Sequence, residues 1–356
     1  MPSLTLQNGV DFSYTDSGEP RTNQTDYATL ILIHGIIDLR SGTFSSLADL
    51  GPSNGVRVIA VNRRGYPGST DYLPEELSLF VSENMDEKER LLAEMGRDLA
   101  LFIAGLIDTL SLPSGVAVVG WSLGALKVLS IVAALEKLPE GTRQTLRGSV
   151  RSMILFQSPT VVFDIPDPKG LYIPQNDPHI SAEELGPFFA RWVSSFFVHG
   201  DLSTHDPSSL TYDRTDPLRP PTVTRFAMDH LIDFAASSKY DAALISPHFG
   251  GVTAKLVDQT LFDMHVRGEL WKDTKVFVVA GSADSWASIY SSWKLEERML
   301  AEARPECAIT FIMVDGANHF VGHLRRLRLS TKFLTNNQSM IEDPQGTLDC
   351  FKECCI

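Results

Sequence analysis

Short apolar runs that alternate with helix-compatible stretches constrain this chain more than any other feature. Ala28 to Gly35, Val56 to Asn62, Val116 to Val119, Met153 to Gln157, Lys275 to Ala280 and Ala308 to Val314 are each too brief for a buried helix. Such runs, rich in Val and Ile, mark strands covered on both faces. Between them lie Phe44 to Leu50, the elongated Asp86 to Leu110, a stretch from Ala125 to about Leu138, Trp286 to Ala303 and His323 to Leu334. In the longest of these, Leu91, Leu92, Met95, Leu99, Phe102, Ile103 and Leu106 recur at helical spacing among charged residues. Strand and helix in alternation predict an α/β fold, a mostly parallel sheet with helices on both faces. Ahead of it, Leu4 to Leu6 and Val10 to Tyr14 flank Asn8-Gly9, the pair best suited to a tight hairpin turn, so an antiparallel edge is expected.

The alternation stops between residues 161 and 273, a proline-dense stretch with no comparable strand. The expected organisation is therefore a core in two parts, 1–160 and 274–336, an insertion at 161–273, and a polar, solvated tail at 337–356. Cys350, Cys354 and Cys355 crowd into that tail and cannot staple a fold, which fits a reducing compartment. Glu353 stands fourth from the end, so no prenylation box is present. The 44 acidic against 31 basic side chains give a formal charge of −13, which repels nucleic acid and anionic surfaces. The first residues lack a basic, then apolar, secretory leader, and no run of about 18 apolar residues exists to span a membrane. A cytoplasmic location is expected, with neither nucleic acid nor membrane as partner.

Within Ser114 to Leu126 the apolar strand runs into Gly120-Trp121-Ser122-Leu123-Gly124 and directly on into a helix. G-x-S-x-G in a strand–turn–helix setting is the condition under which the pattern means a nucleophile elbow, with the serine on a sharp turn near free amides at a helix start. A serine hydroxyl needs a positioned base, and the base needs a carboxylate to orient it. In open α/β sheets these partners are sought just past the carboxyl ends of strands. Asp284 follows the Val276 to Ala280 run, and His319 follows the Ile309 to Val314 run. The order Ser122, Asp284, His319 is the one this fold type requires.

With these residues in place, the chain resembles the α/β-hydrolase superfamily of serine hydrolases across residues 1–160 and 274–335. His34-Gly35 is similar to the family's H-G motif, and Asn62-Arg63-Arg64-Gly65-Tyr66-Pro67-Gly68-Ser69 to its D-x-R-G-x-G-x-S segment, departing from it at Asn62 and Pro67. The resemblance implies an oxyanion hole made by the backbone N–H groups of Leu123 and Ile36. It also implies that His34 holds loop geometry and takes no part in the chemistry, and that the insertion forms a helical cap over the nucleophile.

Phe188, Phe189, Trp192, Val193, Phe196 and Phe197 form one apolar helix face in that insertion. With Trp121, the residues Phe188, Phe189 and Trp192 are the expected substrate contacts, and the expected substrate is a fairly bulky hydrophobic small molecule. His179, His199, His205, His230, His248 and His265 show no metal-ligand spacing, so neither a metal nor another cofactor is expected. An ester, lactone or thioester hydrolase fits best. A C–C bond hydrolase or acyltransferase uses the same triad, and a non-catalytic receptor can share the scaffold.

Overall fold

The computed structural model describes residues 1–21, 26–36, 44–225, 239–245, 249–302, 304–320 and 344–355. Among them eight strands form one sheet: β1 (Ser3–Thr5), β2 (Asp11–Asp16), β3 (Ala28–Ile33), β4 (Val56–Val61), β5 (Val116–Trp121), β6 (Val150–Phe156), β7 (Lys275–Gly281) and β8 (Thr310–Val314). Their order is β1-β2-β4-β3-β5-β6-β7-β8. β1 and β2 pair antiparallel, as the Asn8-Gly9 turn predicts, with Gly9 at φ 83°. β2 also runs antiparallel to β4, and every later pairing is parallel.

Alternate residues of each central strand enter opposite cores. Ile31, Ile33, Val116, Val118, Met153, Leu155, Val276 and Val278 face one side, while Leu30, Leu32, Ala117, Val119, Ile154, Phe156, Phe277 and Val279 face the other. This two-sided burial is why these runs read as continuously apolar. Helices α1 (Ser45–Leu50), α2 (Pro74–Phe80), α3 (Met85–Thr109), α4 (Gly124–Ala134) and α5 (Glu140–Ser149) lie in the first part of the core. α3 begins where Asn84 Oδ1 accepts the Asp86 N–H at 2.9 Å. At Gly96 it meets α4 so closely that a Cβ would stand 2.0 Å from Ser130 O.

Between β6 and β7, no described residue joins the sheet. This stretch holds several 3₁₀ turns, α6 (Ala182–Val193), α7 (Lys239–Leu244) and α8 (Val252–Val257), followed by two π-helical turns. Val252, Leu256, Leu261, Phe262 and Val266 of its later part are buried in the same core as α3 and α4. Helix α9 (Trp286–Glu302) follows β7. The helix expected at His323 to Leu334, with His323 itself, lies outside the described residues.

The expectation of a solvated tail is overturned. Pro344–Cys354 is a helix, α10, whose Leu348, Phe351 and Cys354 are fully buried against the sheet. The Phe351 ring meets Phe156 edge-on at 5.0 Å. Polar residues dominate the tail as a whole, but its few apolar ones fall at i, i+3 and i+6, which collects them on one face once a helix forms. No helix among the described residues is long and apolar enough to cross a membrane.

Candidate active site

Ser122 sits between β5 and α4 with φ at 55°, a left-handed conformation that non-glycine residues adopt only under constraint. Its own amide donates to Phe156 O at 2.8 Å, and α4 starts two residues later. The flanking glycines are required by contact. A Cβ at Gly120 would lie 2.6 Å from Ala125 N, and one at Gly124 would lie 2.2 Å from Ile33 O. Gly35 passes equally close to Ser122, where a Cβ would be 2.8 Å from Ser122 Cβ and 3.3 Å from its Oγ.

The sharp turn after β8 carries His319, and the one after β7 carries Asp284. Asp284 is fully buried and His319 nearly so. Nδ1 of His319 lies 3.0 Å from Asp284 Oδ1 and 3.3 Å from Oδ2, while the Ser285 amide donates to Oδ1 at 2.5 Å. A carboxylate can only accept, so Nδ1 of His319 donates to it and Nε2 is the ring nitrogen left for other work.

Ser122, Leu123, Ile36 and His319 line one cavity of about 440 Å³. Phe189 and Trp192 of α6 also line it, together with Ile245 and Phe249. Two expected contacts are placed elsewhere. Trp121 is buried behind the site, where its indole N–H donates to His319 O at 2.9 Å and its ring packs on Phe320. Phe188 turns outward and is 47% exposed. The helix period put both phenylalanines on one broad face, but only its inner edge reaches the cavity. His34 is buried away from the cavity wall, and burial together with the Arg63 charge pushes its imidazole down to about 3, so it is neutral.

The loops bearing Asp284 and His319 are tied to the insertion by contacts that the sequence did not reveal. Asn318 Nδ2 donates to Ser194 O at 2.7 Å and to Thr222 Oγ1 at 2.8 Å. His199 Nε2 donates to Asp284 O at 2.8 Å, and its Nδ1 accepts the Thr211 amide at 3.0 Å. That pair of roles requires a neutral ring, which burial favours by lowering the His199 pKa. Phe197 N donates to Ala283 O at 2.9 Å. Adjacency to His319 was the one available signal for Asn318. His199 had none, being distant in sequence from everything it holds. Among the described residues no group of three or more His, Cys, Asp or Glu side chains is placed to hold a metal.

Several solved structures are similar to the chain at low sequence identity. A solved esterase from Thermogutta terrifontis is 16% identical, with 99% of this chain and 97% of that one covered at a TM-score of 0.48. A bromoperoxidase from Bacillus anthracis is 16% identical over 88% and 90% of the two chains at 0.47. A variant epoxide hydrolase from Vigna radiata is 13% identical over 90% and 92% at 0.49. No curated protein matches the sequence. The model of the alpha/beta hydrolase family matches residues 30–329. With that match spanning most of the chain, and with the strand order and elbow described above, the protein belongs to the alpha/beta hydrolase family.

Proposed function

We propose that the protein is a serine hydrolase that cleaves an ester, lactone or thioester bond of a fairly bulky, hydrophobic small molecule. The observation that carries this reading is that the Asp284-bound His319 and the elbow Ser122 open on one cavity. In this mechanism His319 Nε2 takes the Ser122 proton as Oγ attacks the carbonyl carbon. Asp284 orients the ring and stabilises the imidazolium. The N–H groups of Leu123 and Ile36 stabilise the tetrahedral oxyanion, Leu123 being at a helix start, where the first amides lack intrahelical acceptors. His319 returns the proton to the leaving group, and water then cleaves the acyl-enzyme by the same path.

Residues 161–273 serve as the cap in this reading, with Phe189 and Trp192 in its roof. A cavity of about 440 Å³ suits a molecule of drug-like size. Its wall is largely apolar, its polar lining includes Asp164, Asp167, Gln175 and Asn176, and no Lys or Arg is among the described residues that line it.

Labelling by a fluorophosphonate probe and turnover of p-nitrophenyl esters test the assignment. Ser122→Ala should abolish both, a loss of about 10⁴-fold or more in kcat. Labelling that survives the substitution would refute the nucleophile, and ligand binding without any turnover in the unaltered protein would favour a receptor.

A further inference from the structure

The amide of Ile36, taken above as an oxyanion donor, belongs to the same planar peptide unit as the carbonyl of Gly35. That carbonyl is held from two sides. Arg63 Nη2 donates to it at 2.7 Å and His34 Nδ1 at 2.9 Å. The Arg63 guanidinium is itself fixed by a bidentate pair with Asp241, Nη1 to Oδ1 at 3.0 Å and Nη2 to Oδ2 at 2.5 Å. Tyr66 completes the cluster. Its hydroxyl accepts from Arg63 Nη2 at 3.1 Å, touches Asp241 Oδ2 and lies 3.0 Å from Ile36 O. Arg63 and Asp241 are 3% and 2% exposed. Asp241 comes from α7 in the insertion, whereas every other member comes from the core.

A buried ion pair adds little net stability, because desolvation offsets most of its attraction. This pair does something more specific. A cation donating to a carbonyl oxygen polarises the whole peptide group and makes its N–H a stronger donor, since hydrogen bonds in series reinforce one another. Because the peptide is planar and trans, clamping its oxygen also fixes the direction of its N–H.

We propose that Arg63, locked by Asp241, is a positioning residue that aims and polarises the Ile36 N–H toward the oxyanion. The seating of α7 on the core thereby sets the strength of the oxyanion hole. This rests on the serine hydrolase reading above.

The test compares three variants of the full chain with the unaltered protein. Arg63→Met combined with Asp241→Leu removes both charges and leaves neither orphaned. Asp241→Asn removes the anchor charge alone, and Tyr66→Phe removes one hydroxyl. Each is assayed for p-nitrophenyl ester turnover and for binding of an aryl trifluoromethyl ketone, which forms an oxyanion upon addition of Ser122. Sites are counted by fluorophosphonate titration, so that a reduced folded fraction does not lower the result.

The double variant should lose about 10- to 100-fold in kcat per titrated site, with KM changed less than about threefold, and should lose ketone affinity by the same factor. Asp241→Asn and Tyr66→Phe should show smaller, still parallel losses. A brace for the fold alone would lower the titrated fraction and leave per-site kcat and ketone affinity untouched, and that result overturns the proposal. A loss appearing equally in KM overturns it as well. If the double variant does not fold, Tyr66→Phe decides, since it disturbs no charge: unchanged per-site values for it count against the proposal. An unaltered protein that neither reacts with the fluorophosphonate nor binds the ketone would instead refute the serine hydrolase reading itself.

Discussion

Lys127 shows how one residue can work against the fold that holds it. It lies in the first turns of α4, 2% exposed, and its ammonium reaches the Met95 sulfur at 3.3 Å. Burial first, and then the like charge of Arg63, push its pKa down to about 7, against a smaller opposing pull from Asp241. The native state therefore binds fewer protons than the unfolded chain between about pH 7 and the ordinary lysine range near 10.5, so this group makes stability rise with pH across that window. Its cost is fully present below pH 7. Lys127→Met should stabilise the protein by about 1–3 kcal/mol at pH 6.5, and the gain should shrink steadily by pH 10. Thermal melts of both proteins across that range check it, and a difference independent of pH would count against it. Nothing in the sequence marked Lys127, since a lone lysine in a helix normally reaches solvent. The placement of Ser122, Asp284 and His319 past strand ends was legible because the proposed chemistry demands fixed residue types there. Trp121 was misplaced because adjacency to the nucleophile says nothing about which side of the strand a ring takes.

At the level of elements, the insertion holds the loops of the site in place as well as lining its cavity. Asn318, buried at the root of the His319 loop, spends both side-chain N–H groups on Ser194 and Thr222. Asn318→Leu should remove both donations and leave the buried Phe320 amide without the Asn318 Oδ1 acceptor, destabilise by about 1–3 kcal/mol and reduce kcat by about tenfold through displacement of His319, with labelling of Ser122 slowed in proportion. Circular dichroism and labelling rates measure the two effects separately, and unchanged rates would show that the loop holds itself. The sheet strands and α3 were readable because burial on both faces, or on one stripe, leaves a period in the sequence. α2, α5 and the short turns of the insertion were not, since their residues answer to contacts far along the chain. Thr222, for example, is positioned by a partner 96 residues away.

For the molecule as a whole, a charge of −13 surrounds a cavity whose lining includes Asp164 and Asp167. Matched esters differing only in a terminal methyl or carboxylate should therefore be separated by about tenfold or more in kcat/KM, the neutral one preferred, and the gap should narrow with added salt. Equal rates would locate the reacting acyl group away from these carboxylates. The far side of the sheet carries its own dependence. Removing residues 344–356 would strip Leu348 and Phe351 from the face of β6 and uncover Phe156, a loss of about 5 kcal/mol that rivals the whole stability of many domains. The shortened chain should be insoluble or melt far lower, and an unchanged melting temperature would show that the helix only rests there. That same helix buries the sulfur atoms of Cys350 and Cys354, while Cys355 just beyond it is half-buried. The neighbouring Cys350 thiol and burial raise the Cys354 thiol well above the ordinary range, and burial pushes Cys355 up to about 12. Neither is a thiolate at neutral pH, and an aromatic disulfide reagent can reach the fully buried Cys354 only after the helix lifts from the sheet. The chain thus carries a built-in clock: the rate at which the Cys354 sulfur reacts in the native protein reports how often that helix lets go.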